Sequence, residues 1–118
     1  MATEKDIEFG AFVRREREGR EIGLREMARM IGVSPTYLSK VEREEFPPPA
    51  EDKVIAIANI LDHDRDELLA LAGKVSSDLT EIIREHPREL AALLRTTKGM
   101  TTDDVARLAR EAEKPKGK

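Results

Sequence analysis

Thr36, Tyr37, Ser39, Lys40 and Arg43 fall within one short stretch and bring together two hydroxyls, a phenol, an ammonium and a guanidinium. These groups donate hydrogen bonds. The targets that suit them are the acceptor-rich edges of base pairs and anionic phosphate oxygens. The apolar residues between them decide which way they point. Leu38 and Val41 share one side of a helix, as Met27, Ala28 and Ile31 do in the helix before it. The polar set is therefore left outside, on a short rigid element of the kind that enters the DNA major groove. Other chemistry has little support: no Gly-rich phosphate loop, nucleophile elbow or pair of carboxylates in a plausible cleft appears, so no enzymatic activity is expected.

The elements that must position these donors are written around them. Ser34 is a good N-cap, its hydroxyl able to accept from an orphan backbone N–H of the first turn. Pro35 stands at the first helical position, where its missing N–H costs nothing. Val33 and Leu38 can close a hydrophobic staple across the cap. Gly32 follows the preceding helix, where a left-handed cap is wanted. Ile22 to Arg43 thus reads as helix, tight turn, helix.

This segment resembles the phage-repressor-like helix-turn-helix family, often called the Xre family. The resemblance runs from about Phe9 to Gly73. It is carried by Phe9-Gly-Ala-Phe-Val-Arg-Arg15, Met27-Ala28, Gly32-Val-Ser-Pro-Thr-Tyr-Leu-Ser-Lys-Val-Glu-Arg43 and Phe46-Pro-Pro-Pro49. A plain helical hairpin would explain the apolar spacing, but not Ala28, Gly32, Ser34-Pro35 and Glu42-Arg43 together. The resemblance implies that Pro35, Thr36 and Lys40 face base edges, with Lys40 donating to guanine O6 and N7 and the Thr36 methyl touching a thymine methyl. Tyr37, Ser39 and Arg43 are then placed for phosphate oxygens or the groove wall. Read blandly, each of these would be a solvated surface residue.

The resemblance also implies a structural pair, since an arginine of the first helix often meets a glutamate late in the recognition helix. Arg17 and Glu42 match in type and spacing, and would fix the recognition helix against the first. One position departs from the pattern. Many members carry a phosphate-contacting Gln at the second position of helix two, where this chain has Leu24. Leu24 has no side-chain donor, so its backbone N–H at the helix N-terminus, or Arg25, takes that contact.

The composition fits a small helical protein. The 118 residues suffice for one compact domain or a small domain with an extension. With three Phe, one Tyr and no Trp, the core has to be aliphatic. No stretch alternates with period two as a half-buried strand would. The absence of Cys excludes disulfides and thiolate metal sites. His63 and His86 stand in no zinc-ligand spacing. Asp62, Asp64 and Asp66 alternate like the start of a calcium loop, but Glu67 and Gly73 occupy positions that such a loop gives to glycine and glutamate. No metal or cofactor is expected. The formal charge of −3 is unusual for a DNA-binding chain. The acids, however, gather at Glu44-Glu45, Glu51-Asp52 and Asp62 to Glu67, outside the reading helix, and charge near the phosphates decides binding.

The expected fold is all-α: a five-helix phage-repressor-like helix-turn-helix domain over residues 1–73 and a helical extension over 74–118. Helices are expected over Ile7 to about Arg20, Leu24 to Ile31, Pro35 to about Arg43, Ala50 to Leu61 and Asp64 or Arg65 to Ala72. Pro47-Pro-Pro49 enforces an extended connection. In the extension, Ser76-Ser77, His86-Pro87 and the capping-box-like Thr101/Asp104 each open a helix. The apolar residues of these helices, Ile82, Ile83, Leu90, Leu93, Leu94 and Leu108 above all, are expected to form an interface. Met1–Asp6 carries no apolar signal and no stretch is long enough to span a membrane, so a cytoplasmic protein is expected. The end from Glu113 to Lys118 is expected to fray. The expected partner is double-stranded DNA, read by a homodimeric repressor on a palindromic operator. The alternative is an antitoxin or protein-interaction module whose C-terminal helices bind a toxin or sensor protein.

Overall fold

The computed structural model describes residues 7–115. The readings made above on Met1–Asp6 and on the last three residues, Lys116 to Lys118, lie outside them. Eight helices and no strand occur among the described residues: α1 (Phe9–Gly19), α2 (Leu24–Ile31), α3 (Pro35–Glu42), α4 (Glu51–Leu61), α5 (Arg65–Leu71), α6 (Ser77–Glu85), α7 (Pro87–Thr96) and α8 (Thr102–Glu113). The all-α organisation expected from the sequence is the one observed, with five helices followed by a helical extension.

The ends of the helices follow local chemistry. Asp64 caps α5 by accepting from the Glu67 N–H at 2.9 Å, so it stands just outside the helix rather than in it. Ile7 likewise stays outside α1, because Glu8 is extended (φ −66°, ψ 152°) and its carbonyl accepts the first helical bond, from Phe12 N–H at 2.9 Å. Thr101 and Asp104 form a reciprocal capping box at α8, each side chain bonded to the other's backbone N–H at 3.0 and 3.2 Å.

The chain divides into two compact units between Ser77 and Asp78. The first holds the core: Phe9, Phe12 and Val13 of α1, Met27, Ala28 and Ile31 of α2, Leu38 and Val41 of α3, Val54, Ile57, Ala58 and Leu61 of α4, and Leu68 and Leu69 of α5. In it α4 packs on α5, α2 and α1, and α3 packs on α2 and α1. Two contacts lock α3 and α2 in place. At Gly10 the N-terminal turn of α1 lies directly on the Val41 carbonyl at the end of α3, an approach only a glycine allows. At the end of α2, Gly32 adopts φ +78° and Lys53 of α4 reaches across to donate to the Ile31 carbonyl at 2.9 Å. That bond satisfies one of the orphan carbonyls of α2.

The second unit has no fully buried side chain in α7 or α8, nor is any found in α6. Ile82, Leu93, Leu94 and Leu108 are exposed, and Ile83 and Leu90 are half-buried. No helix among the described residues is long and apolar enough to cross a membrane. No group of three His, Cys, Asp or Glu side chains among them could hold a metal ion.

Candidate nucleic-acid interface

The local sequence sets α3 as a rigid projection. The Ser34 hydroxyl accepts from the Tyr37 N–H at 3.0 Å and Pro35 occupies the first turn. Leu38 and Val41 are fully buried and hold the helix down. Thr36 is left exposed, and Pro35, Tyr37, Ser39 and Lys40 are half-buried. Arg43 is the C-cap residue, exposed, with its Nε 3.3 Å from Glu45 Oε2 and both side chains about half accessible. An ion pair this exposed is worth at most about 1 kcal/mol, so Arg43 can exchange its carboxylate for another anion at little cost.

Arg17 and Glu42 meet beneath this face. Arg17 Nε and Nη2 donate to Glu42 Oε2 and Oε1, both at 2.8 Å, a two-pronged geometry that only a guanidinium offers. The third contact, Nη1 to the Ile22 carbonyl at 2.9 Å, ties the corner between α1 and α2, where the Ile22 N–H in turn donates to the Arg17 carbonyl. Both side chains are buried, at 8% and 3% exposure. The bonds to Glu42 hold the guanidinium charged, above its ordinary pKa, despite the burial that opposes it. Each partner is therefore neutralised inside the fold, and the charge left outside belongs to other residues.

Above the pair opens a cleft of about 270 Å³ lined by Arg14, Arg17, Glu18, Leu24, Ser39, Glu42 and Arg43. It joins the first turn of α2 to the outer side of α3. The first N–H groups of α2 have no intrahelical partner, as in any helix, and Gly23 at the N-cap supplies no side-chain acceptor for them. Such an end attracts anions. Arg14 adds a guanidinium which, among the described residues, pairs with Glu18 at 3.2 Å on the exposed surface. The cleft thus gathers Arg17, Glu42, Ser39 and Arg43 of the residues singled out by sequence. Arg25, the residue after Leu24 in α2, is exposed and does not line it. Ile82, Ile83, Leu90, Leu93, Leu94 and Leu108 belong to the other unit.

Two residues beside this face were not among the site residues expected from the sequence. Arg14 is one, hidden among several arginines of α1. The other is Phe46, whose ring centre lies 5.2 Å from the Lys40 ammonium and 5.8 Å from the ring of Tyr37. The sequence signal for Phe46 was a phenylalanine, one of only three in the chain, placed after the reading helix and against a run of prolines; the structure leaves it 40% exposed.

Residues 10–74 match the helix-turn-helix domain family. An uncharacterised HTH-type transcriptional regulator of Mycobacterium tuberculosis is 34% identical over 76 residues, in each of two strains, which is 64% of this chain and 54% of that protein. The chain thus spans about half the length of the curated relatives it matches. Among solved structures, the DNA-binding domain of the P22 c2 repressor is 29% identical, with a TM-score of 0.50, over 64% of this chain and 92% of that domain. The N-terminal DNA binding domain of SinR from Bacillus subtilis is 28% identical, with a TM-score of 0.47, over 52% of this chain and 88% of that one.

Proposed function

The chain belongs to the helix-turn-helix domain family, and we propose that it is a DNA-binding transcriptional regulator of the repressor type, acting in the cytoplasm without catalysing a reaction. The observation that carries this reading is α3 itself, capped at Ser34, pinned from below by Arg17–Glu42 and presenting Thr36, Ser39 and Lys40 outward. The relatives support it: those in Mycobacterium tuberculosis are named as transcriptional regulators, and the similar P22 domain as DNA-binding. In this reading Pro35, Thr36 and Lys40 face base edges, while Tyr37, Ser39, Arg43 and Arg25 serve the sugar–phosphate wall. The cleft beside α3 takes a phosphate, with Arg14, Ser39, Arg43 and the start of α2 as donors.

The repressor works as a homodimer on a palindromic operator, with residues 1–73 as reader and 74–118 as the dimerisation segment. Half-sites then lie about 34 Å apart, one turn of the duplex, or a multiple of that. The test is to sequence genomic fragments retained by the purified protein. An enriched two-fold motif with that spacing is expected, and fragments without any shared motif would sink the reading. A second reading, an antitoxin or interaction module with a toxin or sensor partner, is favoured by one observation, the exposed Ile82, Leu93, Leu94 and Leu108 of α6–α8. A chain that is monomeric alone and dimerises with nothing of its own kind would favour it.

A further inference from the structure

We propose that Phe46 is a positioning residue for sequence reading: its ring holds the Lys40 ammonium at one place on the outer side of α3 and so sets which base pair that ammonium discriminates. The inference rests on the DNA-binding reading above. A lysine is by itself a poor reader, because its charge rides on a flexible four-carbon stem and has no fixed direction. Among the described residues Lys40 makes no ion pair that would anchor it. Its neighbour is an aromatic face, 5.2 Å from ammonium to ring centre, within the range of a cation–π contact. A carboxylate partner would occupy N–H donors and cancel the charge. A ring face does neither, so the ammonium keeps its charge and its donors for acceptors on DNA.

The ring is itself held in place. After α3 the chain turns back through Glu44, at φ +63°, and the N–H groups of Glu45 and Phe46 both donate to the Lys40 carbonyl, at 2.8 and 3.2 Å. Backbone and side chain of Phe46 are thereby tied to the same lysine. Pro47 restricts Phe46 to an extended conformation, and Tyr37, one turn before Lys40 on α3, flanks the ring at 5.8 Å with the planes tilted by 45°. Nothing in the core calls for a phenylalanine here, since the ring is 40% exposed and lies outside the buried cluster.

The experiment uses the full chain with Phe46→Leu, Phe46→Tyr, Lys40→Ala and the Phe46→Leu/Lys40→Ala double variant. A random-sequence duplex pool is carried through selection to the preferred site, and affinity is then measured for that duplex, for each single-base-pair change in it and for the unselected pool. In the DNA-free protein, Phe46→Leu should move the NMR signals of the Lys40 Cε methylene downfield as the ring current is lost. With DNA it should reduce discrimination about two- to five-fold at the base pair that Lys40→Ala ceases to distinguish. Affinity for the unselected pool and its salt dependence should stay the same, because no charge has changed. Phe46→Tyr should restore both signals, and Phe46→Leu should add nothing to Lys40→Ala. Loss of affinity spread evenly over all sequences, or discrimination untouched by Phe46→Leu, would overturn the proposal while leaving DNA binding intact. A wild-type chain that selects no duplex would overturn both.

Discussion

The buried pair of Arg17 and Glu42 ties α3 to α1, and under the proposed DNA-binding reading the same contact would hold the reading helix in place. Arg17→Met should strand the Glu42 carboxylate and cost about 3–5 kcal/mol, whereas Arg17→Met with Glu42→Leu should recover part of that loss. Thermal unfolding of the single and double variants decides it, and additive effects would mean the pair has no coupling. Arg17→Lys should fall between Arg17→Met and the parent chain, since a lysine still answers the Glu42 charge but cannot fork to both carboxylate oxygens and also reach the Ile22 carbonyl. On the exposed side the effects should divide by chemistry. Lys40→Ala should change which sequence is preferred. Arg43→Ala should weaken all sequences alike and lower the salt dependence by about one phosphate's worth, as titrations at several salt concentrations would show. Equal effects on preferred and random duplexes for both variants would place Lys40 on the backbone instead.

At the scale of the helices, the sequence carried what local chemistry decides. Ser34-Pro35 announced α3 and Thr101/Asp104 announced α8, because a cap is satisfied by residues three positions apart and needs no fold around it. The pairing of Arg17 with Glu42 could be anticipated only through a family resemblance, and other joints could not be anticipated at all. Lys53 capping α2, Glu44 accepting from the Ala11 N–H at 2.9 Å, and the seat of Gly10 on Val41 depend on residues brought together from distant parts of the chain. No periodicity encodes them. Gly10 gives a direct test. An added Cβ would overlap the Val41 carbonyl and lie 2.9 Å from that of Glu42, both backbone atoms that cannot yield. Gly10→Ala should therefore destabilise by about 1–3 kcal/mol in chemical denaturation, even though alanine is the better helix former. An unchanged midpoint would mean that α1 can shift off α3 without cost.

At the scale of the whole molecule, the two units invite separation. Truncation after Ser77 keeps every buried apolar residue among those described and the bonds from Ser77 to Glu51 at 3.1 and 3.3 Å. If the proposed homodimer holds, the fragment should fold, sediment as a monomer, and bind a single half-site far more weakly than the full chain binds a two-half-site operator, because the tethered second reader would be gone. Sedimentation of both chains, with circular dichroism of the fragment, checks this. An unfolded fragment would mean that α6–α8 complete the core.

The lack of any fully buried side chain in α6–α8 has a consequence for motion. A helix that is held by few apolar contacts opens locally far more often than one in a core, and each opening lets its amide hydrogens trade with solvent deuterium. In a monomeric chain the amides of α6–α8 should therefore label early, while those of Val13, Leu38 and Ile57 wait for global unfolding. Any occupant of the exposed apolar residues would slow the labelling of α6–α8 and leave the core rates almost unmoved. Deuterium uptake measured against protein concentration would then report self-association. Uptake measured at high dilution with a second protein added would report a foreign partner, read from the same peptides and without knowing the partner's identity.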